Sequence, residues 1–393
     1  MKALSFLGPS NYQFTKYRYR GQEVPTRFFA ETLPRFFPAT EKVLIFATPT
    51  VRKHSNLEEL RSRLGDLLAV VPIPESHTEK ALWEIFDALT EHVAEGERVV
   101  FDITSSFRSL PFLTFIAAAF LRSARSVEVA AVLYGAFEAR DEHNVSPVFD
   151  LTSFVTLFDW LAATNQFLYT GNARELAAQL EKSDQPALHP LAQNVRNIAQ
   201  GLALLRPRDV SDAALQLPDN LKAVRAHFPK PFEVVVQPLE TAYTRFAVRS
   251  SDPREHLYRQ LEMINWYLDK ERYVHALALA REWAVSLVCL HFGDDLWDKD
   301  DRADAEILLS GGKRGNRESR HRHEWHSVPC GWRLRQLWKE PPCNLSKLRN
   351  DVLHTGFRKN PETAEEIIER AREAIRELNA IAEAWEEGTC DAP

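Results

Sequence analysis

Four cysteines in 393 residues, at positions 289, 330, 343 and 390, include no Cys-x-x-Cys pair. That spacing argues against the common zinc fingers and leads to the expectation of four reduced thiols in a cytoplasmic protein. The chain also lacks a Gly-x-Gly-x-x-Gly after its first apolar run and any Gly-Lys-Ser/Thr loop. Dinucleotide and NTP-hydrolysis chemistries are therefore without their phosphate cradles. The longest apolar run, 110–121, is too short to span a bilayer. The amino terminus reads as a strand rather than a signal-peptide core, so no membrane association is expected. A net charge of −6 excludes a general polyanion coat, and any nucleic-acid contact has to be local. Repeats and low-complexity segments are missing too. The length suits two or three domains.

Residues 1–155 hold short apolar runs at 2–7, 43–47, 67–73, 98–103 and 126–133, with helical patterns at 79–93 and 107–121. Buried strands joined by helical crossovers imply a mostly parallel, doubly wound α/β sheet. Ligands of such sheets sit at the carboxyl ends of the strands, so the turns there matter most. The first turn carries Gly8, Ser10, Asn11 and Tyr12, followed by Tyr17, Arg18, Tyr19 and Arg20. The second carries Thr48, Pro49 and Thr50. The third carries Thr104, Ser105, Ser106 and Arg108 and opens a helix. Either serine would cap that helix, whose free N–H groups attract anions, and Arg108 adds a cation. Plain helix capping explains the same residues without a ligand.

Three blocks carry a family resemblance: Leu7-Gly8-x-x-Asn11-Tyr12, then Val100-Phe101-Asp102-Ile103-Thr104-x-x-Phe107-Arg108-Ser109-Leu110-Pro111, then Tyr134-Gly135-Ala136 leading to Phe149-Asp150-Leu151-Thr152. Together they resemble a CARF domain, the Rossmann-like sensor of type III CRISPR systems. The resemblance implies a cyclic oligoadenylate ligand bound across a homodimer interface. Gly8, Ser10, Asn11, Tyr12, Thr48, Thr104, Ser105, Ser106, Arg108 and Gly135 are then the expected ligand residues. Their hydroxyls, amides and flat rings suit phosphates and splayed adenines.

Residues 156–250 read as a helical connector punctuated by Pro207, Pro218, Pro229, Pro231 and Pro238. Residues 251–393 read as an all-α domain, with helices at 254–268, 273–292 and 357–385. Asn360 and Pro361 are expected to start the last of these, whose Ile367, Ala371, Ala374, Leu378, Ile381 and Trp385 make one apolar stripe. Just ahead of it lies Arg349-Asn350-x-x-x-His354. Asn350 and His354 share a helix face, whereas Arg349 points elsewhere, so two copies facing each other would best pool the cation and the base. A histidine near a helix carboxyl terminus followed by Gly356 is also an ordinary helix end.

An all-α domain with this motif resembles a HEPN ribonuclease, and the order CARF then HEPN resembles the ring-activated CRISPR ribonucleases. The resemblance implies catalytic Arg349, Asn350 and His354, single-stranded RNA as substrate, no metal or other cofactor, and no action on DNA. The rival reading is a non-catalytic cyclic-nucleotide-sensing regulator that acts through its helical domain. A basic segment, 313–339, with Trp325, Trp332 and Trp338 interleaved, reads either as a loose RNA grip or as an insertion packed on the bundle.

Overall fold

Five apolar runs become adjacent parallel strands in a sheet that has eight strands among the described residues: β1 Lys2–Phe6, β4 Lys42–Ala47, β5 Leu68–Pro72, β6 Arg98–Asp102 and β7 Glu128–Gly135. Three more strands, β2 Thr15–Tyr19, β3 Gln22–Thr26 and β8 Val145–Asp150, extend one edge, giving the order β3-β2-β8-β7-β6-β1-β4-β5. β8 runs antiparallel to β7 and β3 antiparallel to β2, while β2 and β8 are parallel. The sheet is mostly parallel, as the run pattern implies, with an edge hairpin that the pattern did not reveal. The coordinates are a computed structural model that describes residues 1–76, 78–104, 110–183, 185–225, 230–357 and 359–390, the side chains of 230–236 excepted.

Alternation along the strands builds two cores. Leu4, Phe6, Phe46 and Phe101 face one way, under α4 Glu79–Glu91 and α5 Leu110–Arg125. Ala3, Val43, Ile45 and Val100 face the other, under α1 Phe29–Phe36 and α3 Ser55–Leu64, with the short α2 Pro49–Arg52 leading into α3. Burial on both faces is why these strands read as continuous apolar runs. The chain divides into two compact units, Met1–Leu161 and Ala162–Pro393, the division falling inside α6 Thr152–Thr170.

The second unit is helical. Its elements are α7 Arg174–Lys182, α8 His189–Ala203, α9 Pro207–Arg225, α10 Lys230–Tyr243, α11 Pro253–Asp269, α12 Tyr273–Phe292, α13 Lys299–Leu309, α14 Gly331–Lys339, α15 Leu345–Leu353 and α16 Ala364–Glu387. Pro218 and Pro238 lie inside α9 and α10 rather than between helices. An interior proline costs a helix about 3 kcal/mol. In α9 the burial of Val210, Ala213, Ala214, Leu217, Leu221 and Val224 along one face outweighs it. The last helix starts at Ala364, not near Asn360. Thr363 accepts from the Glu366 N–H while Glu366 accepts from the Thr363 N–H, a reciprocal cap stronger than Asn360 could supply. Helix α12 is apolar and long enough to cross a bilayer, yet Ala276, Leu277, Leu279, Trp283, Leu287 and Val288 are buried within the described bundle.

The expectation of four reduced thiols is corrected. Cys330, ahead of α14, and Cys390, beyond α16, form a disulfide with their Cα atoms 4.9 Å apart across 60 residues of sequence. Sequence spacing alone does not report such closeness. Cys289 and Cys343 are free and buried, and burial pushes their thiols up to about 12 and about 11 respectively.

Candidate functional site

The turns at the carboxyl ends of β1, β4, β6 and β7 enclose a cavity of about 440 Å³. Gly8, Ser10, Asn11, Tyr12, Thr48, Thr104 and Gly135 all line it, so seven of the residues singled out from sequence are gathered in one place. Ser105, Ser106 and Arg108 lie outside the described residues. Six of these seven are held by an identifiable contact. The Gly8 N–H donates to the Tyr12 hydroxyl at 2.7 Å, which folds the loop back on itself. Asn56, 4% exposed on α3, donates to the carbonyls of Gly8 (3.1 Å) and Ser10 (2.9 Å) and pins the same loop from below. Thr48 caps α2 through the Val51 N–H. Thr104 accepts from the Gly135 N–H at 2.8 Å, tying the end of β6 to the end of β7.

Asp102 organises the floor. Its carboxylate accepts from the Ser5 hydroxyl at 2.5 Å and from the Thr104 N–H at 2.7 Å, and the residue is fully buried. Burial raises its pKa from 3.8 to about 6, although these hydrogen bonds pull the other way. With the folded value above the unfolded one, the associated stability is complete below roughly pH 4 and is lost as pH rises through about 6. Asp102→Asn keeps an acceptor for Thr104 and offers an amide to Ser5. It is expected to stabilise the first unit at pH 7–8 by up to roughly 3 kcal/mol, with the gain shrinking toward pH 4. Thermal melts of both proteins across that range check it.

Several lining residues escaped the sequence reading. Arg27 pairs with Glu59, and its Nε is buried without a hydrogen-bond partner. Among the described residues, no other Arg or Lys lines the cavity. Phe137 and Glu138 form part of the rim after β7. No local signal marks Arg27, which follows β3 in the unread hairpin.

The second unit places Arg349, Asn350 and His354 at the end of α15. Arg349 donates from Nη1 to Asn350 Oδ1 at 2.9 Å, and its Nη2 lies 3.8 Å from Glu282 Oε1. Glu282 also receives Arg281 and Arg302, each at 2.7 Å, while Arg281 reaches Glu306 at 2.7 Å. Burial pushes the Glu282 carboxyl up, but the neighbouring guanidiniums outweigh it and hold the group below the usual carboxylate range. Asn350 thus serves Arg349 with its side chain. Its link to His354 is through the backbone, the His354 N–H donating to the Asn350 carbonyl at 2.9 Å. His354 is exposed at the helix cap, and Thr355 and Gly356 turn the chain with positive φ. Phe357 beside it is 93% exposed.

The basic segment is folded and largely paired. Arg320 meets Asp294, Asp301 and Asp304; Arg322 meets Glu318; Arg333 meets Glu377. The Arg335 guanidinium sits 4.0 Å from the Trp325 ring centre, and Trp338 is buried. These contacts favour the packed insertion over the loose grip.

Comparison with known proteins bears on the first unit. Residues 2–138 match the family described as CRISPR system endoribonuclease Csx1, CARF domain. The first unit carries a CARF domain. Beyond the CARF domain, residues 156–251 match the second domain of CRISPR-associated protein MJ1674. The chain is 24% identical over 197 residues to CRISPR-associated protein MJ1674 of Methanocaldococcus jannaschii, covering 49% of this chain and 29% of that protein. It therefore spans less than a third of the curated relative's length. In overall fold it is similar to Enterococcus italicus Csm6 bound to cyclic hexa-2'-fluoro-hexa-dAMP, at 8% identity and a TM-score of 0.47, covering 98% of this chain and 94% of the other.

Proposed function

We propose that the protein is a CRISPR effector whose CARF domain binds cyclic oligoadenylate and whose helical unit then cleaves single-stranded RNA as a homodimer, without a metal. The observation that carries this reading is the CARF cavity, which gathers a glycine loop, two threonines, Asn11 and Tyr12 around one guanidinium at the strand ends. Such a lining offers donors to phosphate oxygens and flat surfaces to adenine. Support for the second half is the Arg349–Asn350–His354 group on an exposed helix end, with bare Phe357 beside it suiting a face covered by a second copy.

The chemistry needs only what these side chains supply. The ribose 2′-hydroxyl attacks the adjacent phosphorus, the P–O5′ bond breaks, and the products are a 2′,3′-cyclic phosphate and a 5′-hydroxyl. One His354 takes the proton from the 2′-oxygen, and the His354 of the second copy returns one to the departing 5′-oxygen. Arg349 holds the phosphate with its fork of donors as negative charge builds in the pentavalent state. Asn350 keeps that fork oriented.

The test incubates end-labelled RNA with the protein, with and without cyclic tetra- or hexa-adenylate, in EDTA. Cleavage that requires the ring, persists in EDTA, leaves a cyclic phosphate and spares an all-deoxy strand is the expected result. Cutting that ignores the ring, or that EDTA abolishes, overturns the reading.

A further inference from the structure

A second polar site lies on the helical unit, away from Arg349 and His354 in sequence and built from other elements. Gln237, Glu240 and Thr241 on α10, with Thr244 in the turn that follows, recur at helical spacing and make one polar stripe. Facing it are Arg245, Arg249 and, from α11, Arg259. The groove between them measures about 540 Å³, a size that holds a nucleotide, and every side chain lining it is polar.

The arginines have donors to spare. Arg259 gives Nη1 to the Arg245 carbonyl and Nη2 to Glu255, each at 3.2 Å. Arg245 Nη1 stands 3.6 Å from Glu262. The Nε atoms of both Arg245 and Arg259 are buried without a hydrogen-bond partner. Three guanidiniums lining one groove favour an anionic, acceptor-rich occupant. The nearby carboxylates are engaged: Glu255 accepts the N–H groups of Arg249 and Ser250 as well as Arg259 Nη2, and Glu240 pairs with Arg225. Tyr258, 45% exposed, lies with its ring centre 5.0 Å from the Arg259 guanidinium and offers a stacking surface at the edge. The side chains lining the groove are all polar, and a phosphate supplies several acceptors and a negative charge.

We propose that this groove binds the phosphate groups of a nucleotide chain, Arg245, Arg249 and Arg259 taking the oxygens and Tyr258 a base. The same chemistry could come from a free mononucleotide, so the test has an arm for each source. It reads binding, not cutting, and stands whether or not the nuclease reading does.

Full-length protein is titrated against a fluorescent, uncleavable 2′-O-methyl dodecamer by anisotropy, with AMP and inorganic phosphate as separate competitors, over a series of salt concentrations. The double variant R249A/R259Q is expected to bind the dodecamer about tenfold more weakly. Its salt dependence should flatten by about 1.4 in log–log slope, for two lost cations at ~0.7 each. R249E, a change at an exposed position, should weaken binding while leaving the fold intact. Competition by AMP that disappears in R249E would assign the groove to free nucleotide; loss for the dodecamer alone would assign it to a strand. Wild-type affinity and slope in both arginine variants overturn the proposal. Failure of the wild-type protein to cut RNA overturns the nuclease reading instead, and leaves this binding result in place.

Discussion

Replacing His354 by alanine is expected to lower ring-dependent RNA cleavage by about 10²–10⁴-fold, the usual contribution of a positioned acid–base group. The substitution should leave the melting temperature and the affinity for cyclic oligoadenylate unchanged. His354 is exposed at the cap of α15, so its removal opens no cavity, and the ligand cavity is built wholly from the first unit. Cleavage measured under single-turnover conditions, together with ring binding by calorimetry, checks both halves. A regulator that senses the ring without catalysis would keep its output in this variant. Arg349→Lys provides the companion case. It keeps the charge but loses the planar fork that reaches Asn350 and Glu282, so it should fall well short of full activity.

The second large effect is expected at the floor of the cavity. A Cβ at Gly135 would lie 2.5 Å and 2.8 Å from two ring atoms of Phe29 and 2.9 Å from the Tyr17 ring. Both rings are buried, and they already meet edge to face at 5.0 Å, so neither has room to retreat. Gly135→Val therefore forces the end of β7 away from α1, which breaks the Gly135 N–H bond to Thr104 and distorts the cavity. Overpacking of this kind costs about 1–3 kcal/mol, and each kcal/mol lowers the transition of a domain of this size by about 2–4 °C. Ring binding should fall with it, and calorimetric melts alongside ring titrations would show the two losses together. A variant that melts and binds like wild type would mean the strand end is more pliable than its neighbours suggest.

What the sequence makes legible follows from which forces act locally. The five adjacent parallel strands read well because both of their faces are buried, leaving uninterrupted apolar runs such as Val43 to Ala47. Strand β2 did not, although Thr15, Tyr17 and Tyr19 face inward and Lys16 and Arg18 outward. That alternation is the ordinary signature of a strand with one buried and one solvated face, but its charged positions read as part of a turn. The cavity loops were recognisable since ligand sites of wound sheets gather at strand ends. Arg27 and Asn56 were not, because only the tertiary fold carries α3 and the hairpin exit beneath the Gly8 loop. At the other site, the spacing of Asn350 and His354 suggested an amide steering an imidazole. The helix stops at Leu353, and the amide oxygen goes to Arg349 instead. Prolines 218 and 238 misled for a related reason, since a local penalty says nothing about the packing that overrides it.

The strand order also bears on how the protein is made. β1 lies in the interior of the sheet, where Lys2 sits opposite both Lys42 and Val99. Its neighbour along the chain, β2, pairs locally with β3 in a hairpin, whereas its other edge waits for β8, where Lys16 meets Val145. Long-range pairings of this kind form late and slowly. β1 can pair with β4 early, but its other edge stays open until β6 has been made, and the second edge of β2 until β8. The cavity is complete only once the turn after β7 has joined the Gly8 loop at the strand ends.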